Sequence, residues 1–112
     1  LDRLRQRFQR GLADQVVRAH NEDIAAICAR HPDRFRGLGN VALQHPALAV
    51  RQLEHAVRTL GFKGIEVSTL VNGAELADPA FAPVWAKAEE LGALVFIHPL
   101  GTSVGERLNR YY

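Results

Sequence analysis

The sequence predicts an α/β protein with helices packed on a parallel sheet, and three observations support this. Short apolar runs alternate with longer segments of helical periodicity. Those runs are continuously hydrophobic, as in parallel strands, instead of alternating as in a half-solvated antiparallel sheet. Proline, glycine and aspartate mark the boundaries between them.

In chain order, residues 12–30 predict a helix. Leu12, Val16, Ala19, Ile24, Ile27 and Cys28 supply its apolar stripe. His31-Pro32-Asp33 ends it, because proline disfavours helix in the residue before it. Upstream, Arg3, Arg5, Arg7 and Arg10 face one acid, Asp2. Such a basic arm can bind phosphate. However, Leu1, Leu4, Phe8 and Leu12 fall at helical spacing, so the expectation is a helix with its leucines inside and its arginines in solvent. Residues 37–43 predict a short buried strand, and Gln44-His45-Pro46 a loop. Residues 47–60 predict a second helix with Leu48, Val50, Leu53, Val57 and Leu60 inside, ended by Gly61.

Residues 62–67 form the second expected strand. The loop from Ser68 to Asp78 carries Asn72-Gly73, a turn signal. Asp78-Pro79 starts a third helix, aspartate as the cap and proline in the first turn. Phe81, Val84, Trp85 and Ala88 mark its buried side and Gly92 its end. Residues 93–97 are the third strand, closed by His98-Pro99, and residues 103–112 start another helix. Three strands are too few to close a barrel, which needs about 250 residues in its eight-unit form. The chain is therefore either a small open α/β domain or part of a barrel.

With 47% hydrophobic and 23% charged residues, a packed core is expected and disorder is not. A net charge of +2 gives no reason to expect a nucleic-acid or membrane partner. Cys28 is the only cysteine, so no internal disulfide can form, which fits a cytoplasmic protein. No signal-peptide pattern or membrane-spanning run is present. The chain starts without methionine and ends at Arg110-Tyr111-Tyr112, and the expectation is a piece of a longer protein.

In parallel α/β proteins, functional groups gather at the carboxyl ends of strands. Three places qualify: Gln44-His45, the stretch from Ser68 to Asn72, and His98. His98 follows an apolar strand, and Pro99 fixes the exit. A neutral imidazole there is a good metal ligand, although a histidine bonded at the core rim has the same pattern. Ser68 and Asn72 offer hydroxyl and amide groups to a polar substrate, or else satisfy their own loop. His45 is a weaker proton donor or substrate contact. His20, His31 and His55 fall on helices or at the opposite end. Glu66 is unusual on an interior strand, and Lys63 is its nearest cation in sequence. Gly37-Leu38-Gly39 precedes a strand, so a dinucleotide fingerprint fails.

Several runs together resemble one family. Asn21-Glu22-Asp23, His31 through Gly39, Leu53-Glu54 through Ile65, Asp78 through Trp85, and Val95-Phe96-Ile97-His98-Pro99 are similar, in order and spacing, to the amidohydrolase-related proteins. The branch is the one that includes aminocarboxymuconate-semialdehyde decarboxylase. The resemblance covers about residues 12–112. It implies that residues 1–112 are one partial domain, about strands three to five of a (β/α)₈ TIM barrel. It also implies a divalent metal, commonly zinc, at the carboxyl face. In this family a His-x-His pair on the first strand, a fifth-strand histidine and an eighth-strand aspartate hold the metal, and a sixth-strand histidine moves protons. His98 falls on the fifth-strand position, and the others have no counterpart in this sequence, so no catalytic residue is assigned.

The resulting expectation is part of a metal-dependent decarboxylase or hydrolase, a lyase in the first case, with a small carboxylated substrate. These residues alone should have negligible turnover. An alternative from another class is a non-catalytic α/β module that associates with itself or a partner through open sheet edges. A homo-oligomer is the expected assembly.

Overall fold

A computed structural model of the chain describes residues 1–99. The helix expected over 103–112 lies outside the described residues. The first helix, α1, runs Asp2–Arg30 and is much longer than the stretch 12–30. Its added turns are rich in arginine and glutamine, which are good helix formers, and contain no proline. Strand β1 is only Leu38–Gly39, shorter than the expected 37–43. The backbone beyond it leaves the ladder to bond helix side chains. The Asn40 N–H donates to Asn21 Oδ1 at 2.8 Å, and the Ala42 N–H to Gln52 Oε1 at 2.7 Å.

Helix α2, Pro46–Glu54, opens with proline in its first turn and passes into a π-helical turn, His55–Thr59. That wide turn closes where the Leu60 N–H donates to the His55 carbonyl at 3.1 Å. Strand β2 is Gly64–Ser68. The loop after it folds into a small antiparallel hairpin, β3 (Leu70–Val71) and β4 (Ala74–Glu75). Asn72 and Gly73 make its turn with φ of 50° and 82°, the left-handed pair that a two-residue hairpin requires. The Asp78 carboxylate accepts from the Ala80 N–H at 2.9 Å, starting a 3₁₀ turn, Pro79–Phe81, that leads into α3, Ala82–Leu91. Strand β5 is Leu94–His98.

The three main strands run parallel in the order β1-β2-β5. Side chains alternate across a strand, so Ile65 and Val67 point to one face and Glu66 and Ser68 to the other. The first face is covered by helices. Leu53 and Ala49 of α2 and Val84 and Ala88 of α3 join Ile65 and Val67 in one core cluster. Leu53, Ile65 and Val84 are its largest fully buried side chains. Trp85 packs half-buried against this cluster and donates Nε1–H to the Leu76 carbonyl at 2.9 Å.

Gly37 and Gly39 serve packing. A Cβ on either would fall within 2.6 and 2.9 Å of the Phe62 ring, so the two glycines make room for that ring at the base of the sheet.

The expected inside of α1 needs correction. Leu1, Leu4, Phe8, Leu12, Val16 and Ile27 are exposed, while Val17 and Asn21 are buried. The side facing the body is set by the polar bonds of Asn21 and Asp14 to its neighbours, and the leucine stripe lies opposite it.

Candidate functional site

Among the described residues no helix covers the sheet's second face. In the parallel register Glu66 sits beside Phe96 and Ser68 beside His98, and neighbours in register share a face. Glu66, Leu94, Phe96 and His98 are all exposed, and Ser68 is half-buried. An acid on β2 is tolerable because this face is open. Lys63, an odd number of residues away, points elsewhere, and no ion pair joins the two among the described residues.

His98 is the last residue of β5, at the carboxyl end. Its ring centroid lies 6.2 Å from that of Phe96, two residues back on the same face. Ser68 Oγ donates to the Leu70 carbonyl at 2.9 Å. Its proton therefore serves its own loop, and its lone pairs remain to accept from a ligand. Asn72 is exposed on the hairpin turn. A cleft of about 390 Å³ opens at this end, lined among others by Asn40, Gln44, Glu66, Ser68 and Asn72. It brings Ser68 and Asn72, and Gln44 from the first of the three expected places, together with Glu66, which was singled out only as an oddity. His98 does not line it but stands one strand over. His45 lies half-buried at the start of α2, facing the first turns of α1. His20 and His31 are exposed on and after α1, away from this end.

The cleft wall after β1 is held by residues that the apolar pattern did not single out. The Asn21 side chain grips Asn40 from both sides, donating Nδ2–H to its carbonyl at 3.0 Å and accepting its N–H. Gln52 accepts from Ala42 and donates Nε2–H to Asp14 Oδ1 at 3.0 Å. That bond, with help from the Arg18 guanidinium 3.0 Å away, holds the Asp14 carboxyl below the usual carboxylate value against a smaller opposing cost of burial. The available signal was a polar residue on a helix stripe that otherwise meets the core.

Among the described residues no group of three or more histidine, cysteine, aspartate or glutamate side chains is placed to hold a metal ion. His98 fits such an ion as one donor of a set, with an exposed imidazole at a strand end, and could not hold it alone.

A helix-backed parallel sheet with polar groups and a histidine at its carboxyl end defines the class: an α/β protein built from parallel β/α units. The chain belongs to the Amidohydrolase family, whose pattern matches residues 3–108. It is 36% identical over 92 residues to a 2-amino-3-carboxymuconate-6-semialdehyde decarboxylase of Dictyostelium discoideum, a match covering 82% of this chain and 26% of that protein. It is 33% identical over 100 residues to a gamma-resorcylate decarboxylase of Rhodococcus jostii, covering 81% of this chain and 30% of the relative. Among solved structures it superposes on a 5-carboxyvanillate decarboxylase from Novosphingobium aromaticivorans bound to manganese and 3-methoxy-4-hydroxy-5-nitrobenzoic acid. The TM-score is 0.73 and the identity 32%, over 90% of this chain and 28% of the other. The chain thus spans about 26–30% of the length of these relatives. No described helix is long and apolar enough to cross a membrane.

Proposed function

We propose that this chain is part of a metal-dependent decarboxylase of the amidohydrolase family, a lyase acting on a small carboxylated substrate. In this reading residues 1–112 contribute about strands three to five of a (β/α)₈ barrel whose remaining strands bring the other metal ligands. The observation that supports it most is His98, exposed at the carboxyl end of β5 beside Ser68, in a chain whose relatives decarboxylate carboxylated substrates.

His98 would be one ligand of a divalent ion, zinc or manganese. When bound, such an ion supplies Lewis-acid polarisation of a substrate oxygen. Ser68 would accept a hydrogen bond from the substrate, and the Asn72 amide would donate one to its carboxylate or hydroxyl. Phe96, two residues before His98 on the same face, would wall off water with its ring. The reading includes a cytoplasmic location, consistent with one half-buried free cysteine, and a homo-oligomeric assembly.

The test is made on a protein that carries residues 1–112 within a complete barrel. Metal analysis should find about one divalent ion per chain, and carbon dioxide release from 2,6-dihydroxybenzoate or a related carboxylate should depend on it. His98→Ala should lower metal affinity about 100-fold or more. A metal-free preparation with full activity, or an unchanged metal content in the variant, would sink the reading.

The exposed Leu94 and Phe96, which share the uncovered face of the edge strand, favour a second reading, a module that pairs with a partner through this face. The metal dependence above separates the two readings, and sedimentation tests the second by itself. A monomer at all concentrations removes the second.

A further inference from the structure

The first turns of α1 are reversed relative to an ordinary surface helix. At about 100° per residue, Arg3, Arg7 and Arg10 lie on the same side as Val17, Asn21 and Cys28, the side that meets the body. Leu1, Leu4, Phe8 and Leu12 lie on the opposite side, from 50% to 105% exposed. A helix oriented by burial alone would turn its leucines to the body.

The three arginines instead border a cleft of about 490 Å³, closed on its far side by Gln44 and His45 of the segment after β1. None of the three side chains has an ion pair or hydrogen bond among the described residues. The next acid on that side, Asp14, is already engaged by Gln52 and Arg18. Three permanent cations therefore converge on one concavity without a neutralising partner, and they repel one another until an anion enters. Gln44 also lines the cleft at the carboxyl end of β2, so the two openings adjoin.

We propose that this cleft is an oxyanion-binding site. Guanidinium forks match the paired oxygens of a phosphate or carboxylate group. The Gln44 amide adds a neutral donor, and the His45 imidazole adds another in its suitable tautomer or when protonated. The inference goes beyond the decarboxylase reading and does not rest on it, because neither His98 nor a metal takes part.

The test is an NMR titration of the 112-residue chain with inorganic phosphate and, separately, with 1,3-benzenedicarboxylate, following backbone amides and arginine Nε–H signals. Saturable shifts at Gln44, His45, Arg7 and Arg10 are expected. A response to phosphate alone assigns a phosphate ligand, and a response to the dicarboxylate alone assigns a carboxylate. Arg7→Gln with Arg10→Gln should weaken binding at least about tenfold. Arg34→Gln, in the turn after α1, should leave it unchanged. Circular dichroism should find the helix content of both variants intact. The proposal is overturned if neither anion gives saturable shifts, if Arg34 responds as strongly as Arg7, or if the double variant binds as tightly as the parent. Because the readout is binding without metal or turnover, failure here leaves the decarboxylase reading standing, and the reverse holds.

Discussion

Along β2, Ile65 is completely buried, while Glu66, one residue on, stands exposed on the other face of the same strand. The two faces divide the molecule's tasks. The helix-covered face collects Leu53, Ile65, Val84 and their neighbours, and burial of such side chains contributes about 1.5–3 kcal/mol each. The open face carries Glu66, Ser68, Phe96 and His98, most of them in contact with solvent. Stability therefore depends on one side, and chemistry can vary on the other at little cost to the fold. The polar contacts of Asn21, Gln52 and Asp14 lie between these extremes, since they spend helix side chains on shaping the backbone after β1.

The sharpest way to break this division is to remove bulk from each face. Leu53→Ala should cost about 2–5 kcal/mol in denaturant unfolding, because a fully buried side chain leaves a cavity in a closed layer. A cost below about 1 kcal/mol would mean that this layer is not the closed one. Next in size is Gln52→Ala. It strips the Ala42 N–H and Asp14 of a partner, with an expected loss of about 1–3 kcal/mol.

Acid titration probes the same junction more gently. Asp14 has a folded value below its unfolded one, so its contribution is present above the ordinary carboxylate value. It is lost as pH falls through the lowered folded value. Asp14→Asn should flatten that acid limb of the stability curve, and an unchanged limb would remove Asp14 from the account. The smallest effect is expected on the open face. Phe96→Ala and His98→Ala should each stay within about 0.5 kcal/mol of the parent in thermal unfolding of this chain. A larger loss at either would show that this face is packed after all.

What could be read from the sequence follows the range of the interactions. The Asp78-Pro79 start, the Gly92 end of α3 and the Asn72-Gly73 turn were legible because each rests on chemistry within a few residues. The position of His98 at a strand's carboxyl end was equally local. The length of β1 and the orientation of α1 were not. They depend on Asn21 meeting Asn40 and on Gln52 meeting Ala42 and Asp14, pairs separated by 10 to 38 residues. The leucine stripe of α1 has the right period, and period alone cannot say which of two opposite sides meets the body. The cleft was half legible. Ser68 and Asn72 could be named from their loop, but Gln44 and Asn40 join them only through the parallel register.

The reversed helix has one more consequence. Residues 1–12 bury no side chain, whereas the turns around Val17 and Asn21 are tied to the sheet. Amide protons along this single continuous α-helix should therefore exchange with solvent deuterium in a gradient, fast over the arginine turns and slow beyond Ala13. An oxyanion seated among Arg3, Arg7 and Arg10 would slow the fast end, so the protection profile of one helix reports occupancy of the cleft beside it.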